Sequence, residues 1–151
     1  MSFLTDLKQW EAMEEEVAKQ LTTYFWKTVN KNEDDRKWVD LVICDWKLLI
    51  EVKYDRMVQD TWNYVFEFEC NGKESGLERK YQTEEWWLVH PHFLVQSHNE
   101  WFELYHTYQL LQYVKENNDR TVKGGDGWRS HMYLIERAKI EHLIIKKFVW
   151  N

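Results

Sequence analysis

Apolar residues recur at helical spacing from residue 7 to residue 29. With Trp10 as reference and about 100° per residue, Val17, Leu21, Tyr24 and Phe25 fall within about 60° of one line, which predicts a helix with a single buried stripe. Glu14 falls inside that stripe, whereas Glu15 and Glu16 point toward solvent. The polar run NKNEDDR at 30–36 is expected to end the helix and form a loop.

Three strands are expected next: WVDLVI at 38–43, KLLIEVKYD at 47–55 and NYVFEFE at 63–69. The first two are apolar at both odd and even positions, the pattern of central strands covered on each face. Asn71-Gly72 marks a turn, and Ser75-Gly76 leads into an expected short helix over LERKYQTEE at 77–85. The apolar segment WWLVH follows, broken by Pro91, and then FLVQ. Ser97 and Glu100 match a capping box, with Trp101, Leu104, Tyr105, Tyr108, Leu111 and Val114 continuing at helical spacing, so a long amphipathic helix is expected to run to Asn117-Asn118. A polar loop with GGDG at 124–127 precedes a strand MYLI at 132–135, and the last segment, IIKKFVW, fits either a helix or a strand. Strands interleaved with helices, the central ones buried on both sides, give an α/β layered fold.

Composition narrows the class. Ten Trp, eight Tyr and seven Phe, with a single Pro and five Gly, belong to one globular domain spanning 1–151 rather than to a disordered or linker-rich chain. No apolar run reaches the ~18 residues of a membrane span, and the first residues lack a secretory signal pattern, so no membrane partner and a cytoplasmic location are expected, in a host cytoplasm if the protein is viral. Cys44 and Cys70 form no C-x-x-C pair and are expected as reduced core thiols. The net charge of −6 is unevenly spread, −9 over residues 1–114 and +3 over 115–151. A nucleic-acid partner is therefore not excluded, because local patches and bound cations decide that question.

Asp40, Glu51 and Lys53 interrupt the two most apolar strands. A loop symmetric about Asp45-Trp46 makes paired residue numbers sum to 91, which sets Asp40 opposite Glu51, with Cβ atoms roughly 4.5–5.5 Å apart. Lys53 shares the face of Glu51 by the period of two. Two carboxylates so close repel unless a divalent cation lies between them. Hard oxygen ligands without Cys or a convincing His cluster favour Mg²⁺ or Mn²⁺. The inward-facing Glu14 could add a third carboxylate, and the chemistry such a set suits is metal-assisted phosphodiester hydrolysis.

On these residues the sequence resembles the PD-(D/E)xK nuclease superfamily, and more narrowly its phage-type and Holliday-junction-resolvase-like members. The segments that carry the resemblance are a helix Glu followed by VAKQL (Glu14, Val17, Ala18, Leu21), WVDLVI with Asp40, and LLIEVKYD with Glu51 and Lys53. NYVFEFE and NGKESGLERKYQTEEWW look like the third strand and the Ser-Gly turn into a helix. Val39 stands where the family's name puts Pro. The resemblance implies a restriction-endonuclease-like mixed β-sheet flanked by helices. It also implies a metal held by Asp40, Glu51, the Val52 carbonyl and Glu14, with Lys53 catalytic.

The function expected is a Mg²⁺-dependent DNA endonuclease, possible as a homodimer, acting in recombination, repair or phage DNA processing. The alternative is a non-enzymatic module on the same fold that binds nucleic acid or a host protein. Two basic sets compete for the DNA backbone: Arg120, Lys123 and Arg129 around the Gly-rich loop, and Arg79 and Lys80 after the Ser75-Gly76 turn, with Ser75 beside them. Glu67 is a minor site candidate on a half-buried strand. His90 and His92 flank Pro91 and read as residues of a surface turn, and GGDG lacks the Lys-Ser/Thr ending of a phosphate-binding loop.

Overall fold

The computed structural model describes residues 3–32, 39–54, 61–82, 87–124, 127 and 129–150, the side chains of residues 3–7 excepted. It is a mixed α/β structure with a mixed central sheet flanked by helices.

The first helix, α1, runs Phe3–Phe25. Its Val17, Ala18 and Leu21 are buried, with Met13 and Phe25 half-buried beside them. Tyr24, assigned to the stripe by periodicity, lies on the exposed rim. Trp26 ends the helix at φ 58, in the left-handed region. The chain then forms β1 (Val29–Lys31) instead of the expected loop, because Val29 reaches the core and its N–H donates to the Thr22 hydroxyl at 3.0 Å. The rest of that expected loop, with Trp38, lies outside the described residues.

Strand β2 is Leu41–Ile43, shorter than the expected 38–43, and β3 is Leu48–Tyr54. They pair antiparallel as Leu41↔Ile50, Val42↔Leu49 and Ile43↔Leu48, the register expected from a loop centred on Asp45-Trp46. With β8 (Phe93–Ser97), β9 (Trp101–His106) and β12 (Lys146–Val149), the central sheet has the order β1-β2-β3-β8-β9-β12, in which only the β3–β8 pair is parallel. One face carries Ile50, Val52, Phe93, Val95, Phe102 and Leu104 against α1. The other carries Leu94 and Tyr105 against a second core, built from the helix α2 (Thr107–Asn117) and a second sheet. That second sheet is ordered β10 (Arg120–Gly124), β11 (Ser130–Glu136), β4 (Asn63–Cys70), β5 (Lys73–Glu74).

Three expectations are corrected. The segment after Ser75-Gly76 is not a helix over 77–85. It makes a single 3-10 turn, Gly76–Glu78, and then β6 (Tyr81–Gln82), which pairs with β7 (Leu88–Val89); residues 83–86 lie outside the described residues. Gly76, at φ 51, sits so close to β4 that a Cβ would stand 2.0 Å from the Glu67 carbonyl oxygen, and Tyr81 is drawn inward against Val39 and Leu49. The expected long helix from Ser97 is a strand as far as His106 and a helix only from Thr107. Ser97 is a buried strand residue, and β9 is buried on both faces, so its continuous apolar run mimicked a helical stripe. The C-terminal segment resolves into a short helix, α3 (Arg137–Ile140), a 3-10 turn over 141–143, and β12. Both cysteines are free, but Cys44 is exposed in the β2–β3 turn and Cys70 only half-buried, so neither is a core thiol. No helix among the described residues is long and apolar enough to cross a membrane.

The second core closes around a carboxylate. Glu103 on β9 is fully buried and accepts hydrogen bonds from the hydroxyls of Tyr64 and Tyr105; Arg137 holds its Oε2 at 2.6 Å, and His98 Nε2 lies 3.3 Å from its Oε1. Burial opposes its charge, but the bonds from His98, Tyr64 and Arg137 more than offset this and hold its carboxyl at about 2, below the ordinary 4.5. Breaking such a set removes the buried one of the two carboxylates that Arg137 holds, leaving it only Glu141, and strips the Tyr64 and Tyr105 hydroxyls of their acceptor, so Glu103→Ala is expected to cost about 3–5 kcal/mol in urea unfolding. Because the folded-state value is the lower one, the stabilisation is present above about 4.5 and is lost as pH falls toward about 2. Wild type is expected to lose stability through that window, and Glu103→Gln to show a flatter acid limb.

Candidate active site

Beyond the last β2–β3 rung the chain leaves the ladder at Asp40, and the edge of β3 beside it has no strand partner among the described residues. Asp40 fills the gap with its side chain: Oδ2 accepts the Val52 N–H at 2.7 Å. A strand residue's N–H and C=O point to the same edge, so the Val52 carbonyl also faces the side where Asp40 stands. The Val52 side chain is buried in the first core.

Glu51 lies on the opposite face of β3 from Val52 and is 9% exposed. Lys53 Nζ is 3.1 Å from its Oε1, and the Tyr81 hydroxyl donates to its Oε2 at 3.0 Å. The Lys53 side chain is 46% exposed, so the pair spans from interior to solvent. Glu14 is half-buried on α1, hydrogen-bonded to Trp10 and Asp40. Glu15 instead faces Lys31 across a 3.7 Å exposed pair, and Glu16 accepts from Gln20 at 3.0 Å. The structure thus brings Glu14, Asp40, Glu51 and Lys53 together, and adds Tyr81.

The electrostatics follow from burial. Desolvation first, then the charge of Glu51, pushes the Asp40 carboxyl up to about 7, against the opposing pull of the Val52 N–H and Lys53; Glu14 adds to the rise. Burial also raises Glu14. Burial and the adjacent Glu51 charge raise the Tyr81 hydroxyl, keeping it a donor at neutral pH. Three carboxylates and one ammonium therefore make a site short of positive charge. Among the described residues, no group of three or more His, Cys, Asp or Glu is arranged so that it could hold a metal ion, the set of Glu14, Asp40 and Glu51 included.

The other expected residues are placed as follows. Arg79 lies over the Tyr81 ring, 5.0 Å from its centroid, and so adjoins the site, with exposed Lys80 next to it. The Ser75 hydroxyl is buried, without a hydrogen-bond partner among the described residues, so it is not part of a phosphate-facing surface. Lys123 is exposed on β10, paired with His131, and exposed Arg129 accepts the Asn71 N–H through its carbonyl. Arg120 begins the same strand. Glu67 is a half-buried β4 residue opposite Met132. His90 Nδ1 lies 3.2 Å from the Arg79 carbonyl, and His92 Nδ1 accepts the Leu49 N–H at 3.0 Å, so both tie loops together rather than forming a cluster. Tyr81 was missed because its segment reads as a helix; the signal that could have found it is a lone aromatic in a highly polar run.

The chain matches no protein-family model, no curated protein and no solved structure.

Two outcomes follow without any substrate. In EDTA, folded Asp40 keeps a proton up to about 7 whereas the unfolded chain releases it near 3.8, so stability should fall as pH rises through that window. Asp40→Asn retains an acceptor for Val52 and should be more stable than wild type by about 1–3 kcal/mol at pH 8, with no gain at pH 3, in paired denaturant titrations. Tyr81→Phe should cost about 1.5–3 kcal/mol, as one hydrogen bond to a carboxylate is lost.

Proposed function

We propose that the protein is a Mg²⁺- or Mn²⁺-dependent DNA nuclease of the PD-(D/E)xK kind, on a restriction-endonuclease-like sheet. The observation that supports this most is the meeting of Asp40 and Glu51 at the open edge of β3, with Lys53 on Glu51 and Asp40 held protonatable near neutrality. The donor set fits a hard divalent cation, which commonly takes one or two carboxylates and keeps several waters. Asp40 and Glu51 would hold it, with the Val52 carbonyl and Glu14 on the same side. When bound, the cation supplies Lewis acidity toward a phosphate oxygen and an activated water. Lys53, exposed at its tip, is placed to neutralise charge developing on the phosphate, and Tyr81 fixes the Glu51 carboxylate in orientation.

Duplex or branched DNA approaching this acidic edge needs cationic contacts nearby. Arg79 and Lys80 adjoin Tyr81, so this pair is favoured over Lys123 and Arg129 as the backbone contact. A second reading is a binding module without catalysis. It is favoured by one feature: both Glu51 oxygens already have partners, in Lys53 and Tyr81.

Incubation with supercoiled plasmid, single-stranded and branched DNA, with Mg²⁺ or EDTA, separates the two. Cleavage is expected only with the cation, and loss of at least a hundredfold in Asp40→Ala, Glu51→Ala and Lys53→Ala proteins that remain folded. Full activity in Lys53→Ala overturns the catalytic role of Lys53, whereas no cleavage of any DNA together with no divalent binding in titration calorimetry favours the module. Glu14→Gln should weaken cation affinity while Glu15→Gln does not. Each phosphate contact adds about 0.9 to the slope of log affinity against log salt on duplex DNA. Arg79→Ala, Lys80→Ala is expected to flatten that slope by about 1–2, and Lys123→Ala, Arg129→Ala to leave it unchanged.

A further inference from the structure

Gln96 lies between Lys53 and Glu103 across the central sheet, in register with both. It is 3% exposed and borders a cavity, while its strand neighbour Glu103 is already occupied by Tyr64, His98, Tyr105 and Arg137. That cavity, of about 380 Å³, opens beside Lys53, walled by Tyr54, Phe66, Leu94 and Met132, with Gln96 and Glu67 as its other polar lining. That is within the range of small-ligand pockets.

We propose that this cavity is a nucleobase subsite, in which Gln96 reads the edge of one base of the nucleic acid held at Asp40 and Glu51. The inference rests on the nuclease reading, and Lys53 links the two, because it lines the cavity while its ammonium holds Glu51. A phosphate bound at the acidic edge would therefore have its own base within reach of the apolar walls. A base inserted between apolar side chains gains stacking and dispersion and presents its edge to one polar group. A glutamine amide matches adenine best, donating to the N7 ring nitrogen and accepting from the N6 amino group. Unstacking a paired base costs a few kcal/mol, so single-stranded or mismatched positions are the favoured substrate.

The test has two arms. Saturation-transfer NMR and calorimetry with dAMP, dCMP, dGMP and dTMP, without metal, read the subsite alone. Ring protons of dAMP are expected to receive saturation, with dAMP bound at least fivefold tighter than dTMP. Gln96→Leu should flatten that preference, and Met132→Trp, which fills the cavity, should abolish binding. Thermal melts establish that each variant is folded, and Gln96→Leu decides if Met132→Trp is not. The second arm sequences the ends produced from a random single-stranded library with Mg²⁺, where wild type should cut beside adenine and Gln96→Leu without that bias. Equal binding of the four nucleotides by wild type, or unchanged preference in Gln96→Leu, overturns the subsite. Cleavage with that result leaves the nuclease reading intact, whereas selective dAMP binding without cleavage of any DNA keeps the subsite and overturns the nuclease.

Discussion

Strand β3 is hydrogen-bonded to β2 on one edge and to β8 on the other, and its two faces enter two different apolar clusters, Ile50 and Val52 against α1 and Leu49 against Val39 and Tyr81. A buried polar residue on it needs a partner. Glu51 is the buried one, on the face of Leu49, and it is satisfied by side chains. Everything distinctive about the site follows. Lys53 and Tyr81 are drawn to Glu51, the 3-10 turn at Gly76 is needed to bring Tyr81 there, and Asp40 takes over from β2 where the ladder stops.

The same rule operates two strands further on. Glu103 is more deeply placed than Glu51, but a histidine, an arginine and two tyrosines close on it completely, and its carboxyl is held at about 2. Around Asp40 the balance reverses: burial and neighbouring carboxylates push the carboxyl to about 7. One acid is stabilised as an anion by the fold alone, and the other is destabilised as an anion, a cost that a proton or a cation would relieve.

How much of this was legible in the sequence depends on where tertiary packing enters. The β2–β3 register was legible because a loop symmetric about Asp45-Trp46 fixes every pair by arithmetic, and the phase of Glu14 because a helix has a constant angle per residue. Strand β9 was not legible: buried on both faces, it loses the alternation that marks a strand, and Leu104, Tyr105 and Tyr108 happen to continue into the stripe of α2. Misreading it hid Glu103, although an acid interrupting an apolar run was the very signal used for Asp40 and Glu51. Tyr81 was hidden in the same way, inside a segment that reads as a helix. Gln96 was hidden for another reason: its place beside Lys53 comes from β3–β8 pairing between segments far apart in sequence.

The arrangement also constrains what can approach. Lys53 is the one member of the acidic set whose tip is substantially exposed, and it stands where the β3 edge and the cavity of Gln96 meet. A ligand contacting the acidic edge therefore passes beside a cation that is already shared with Glu51. Its charge must compete for that ammonium, and an anion does so favourably only if something else compensates Glu51. Tyr81 offers a single neutral hydrogen bond, which is too weak alone to replace an ion pair in a buried setting. A divalent cation on Asp40 and Glu51 would release Lys53 toward the anion, so cation and phosphate binding at this site should be mutually reinforcing rather than independent.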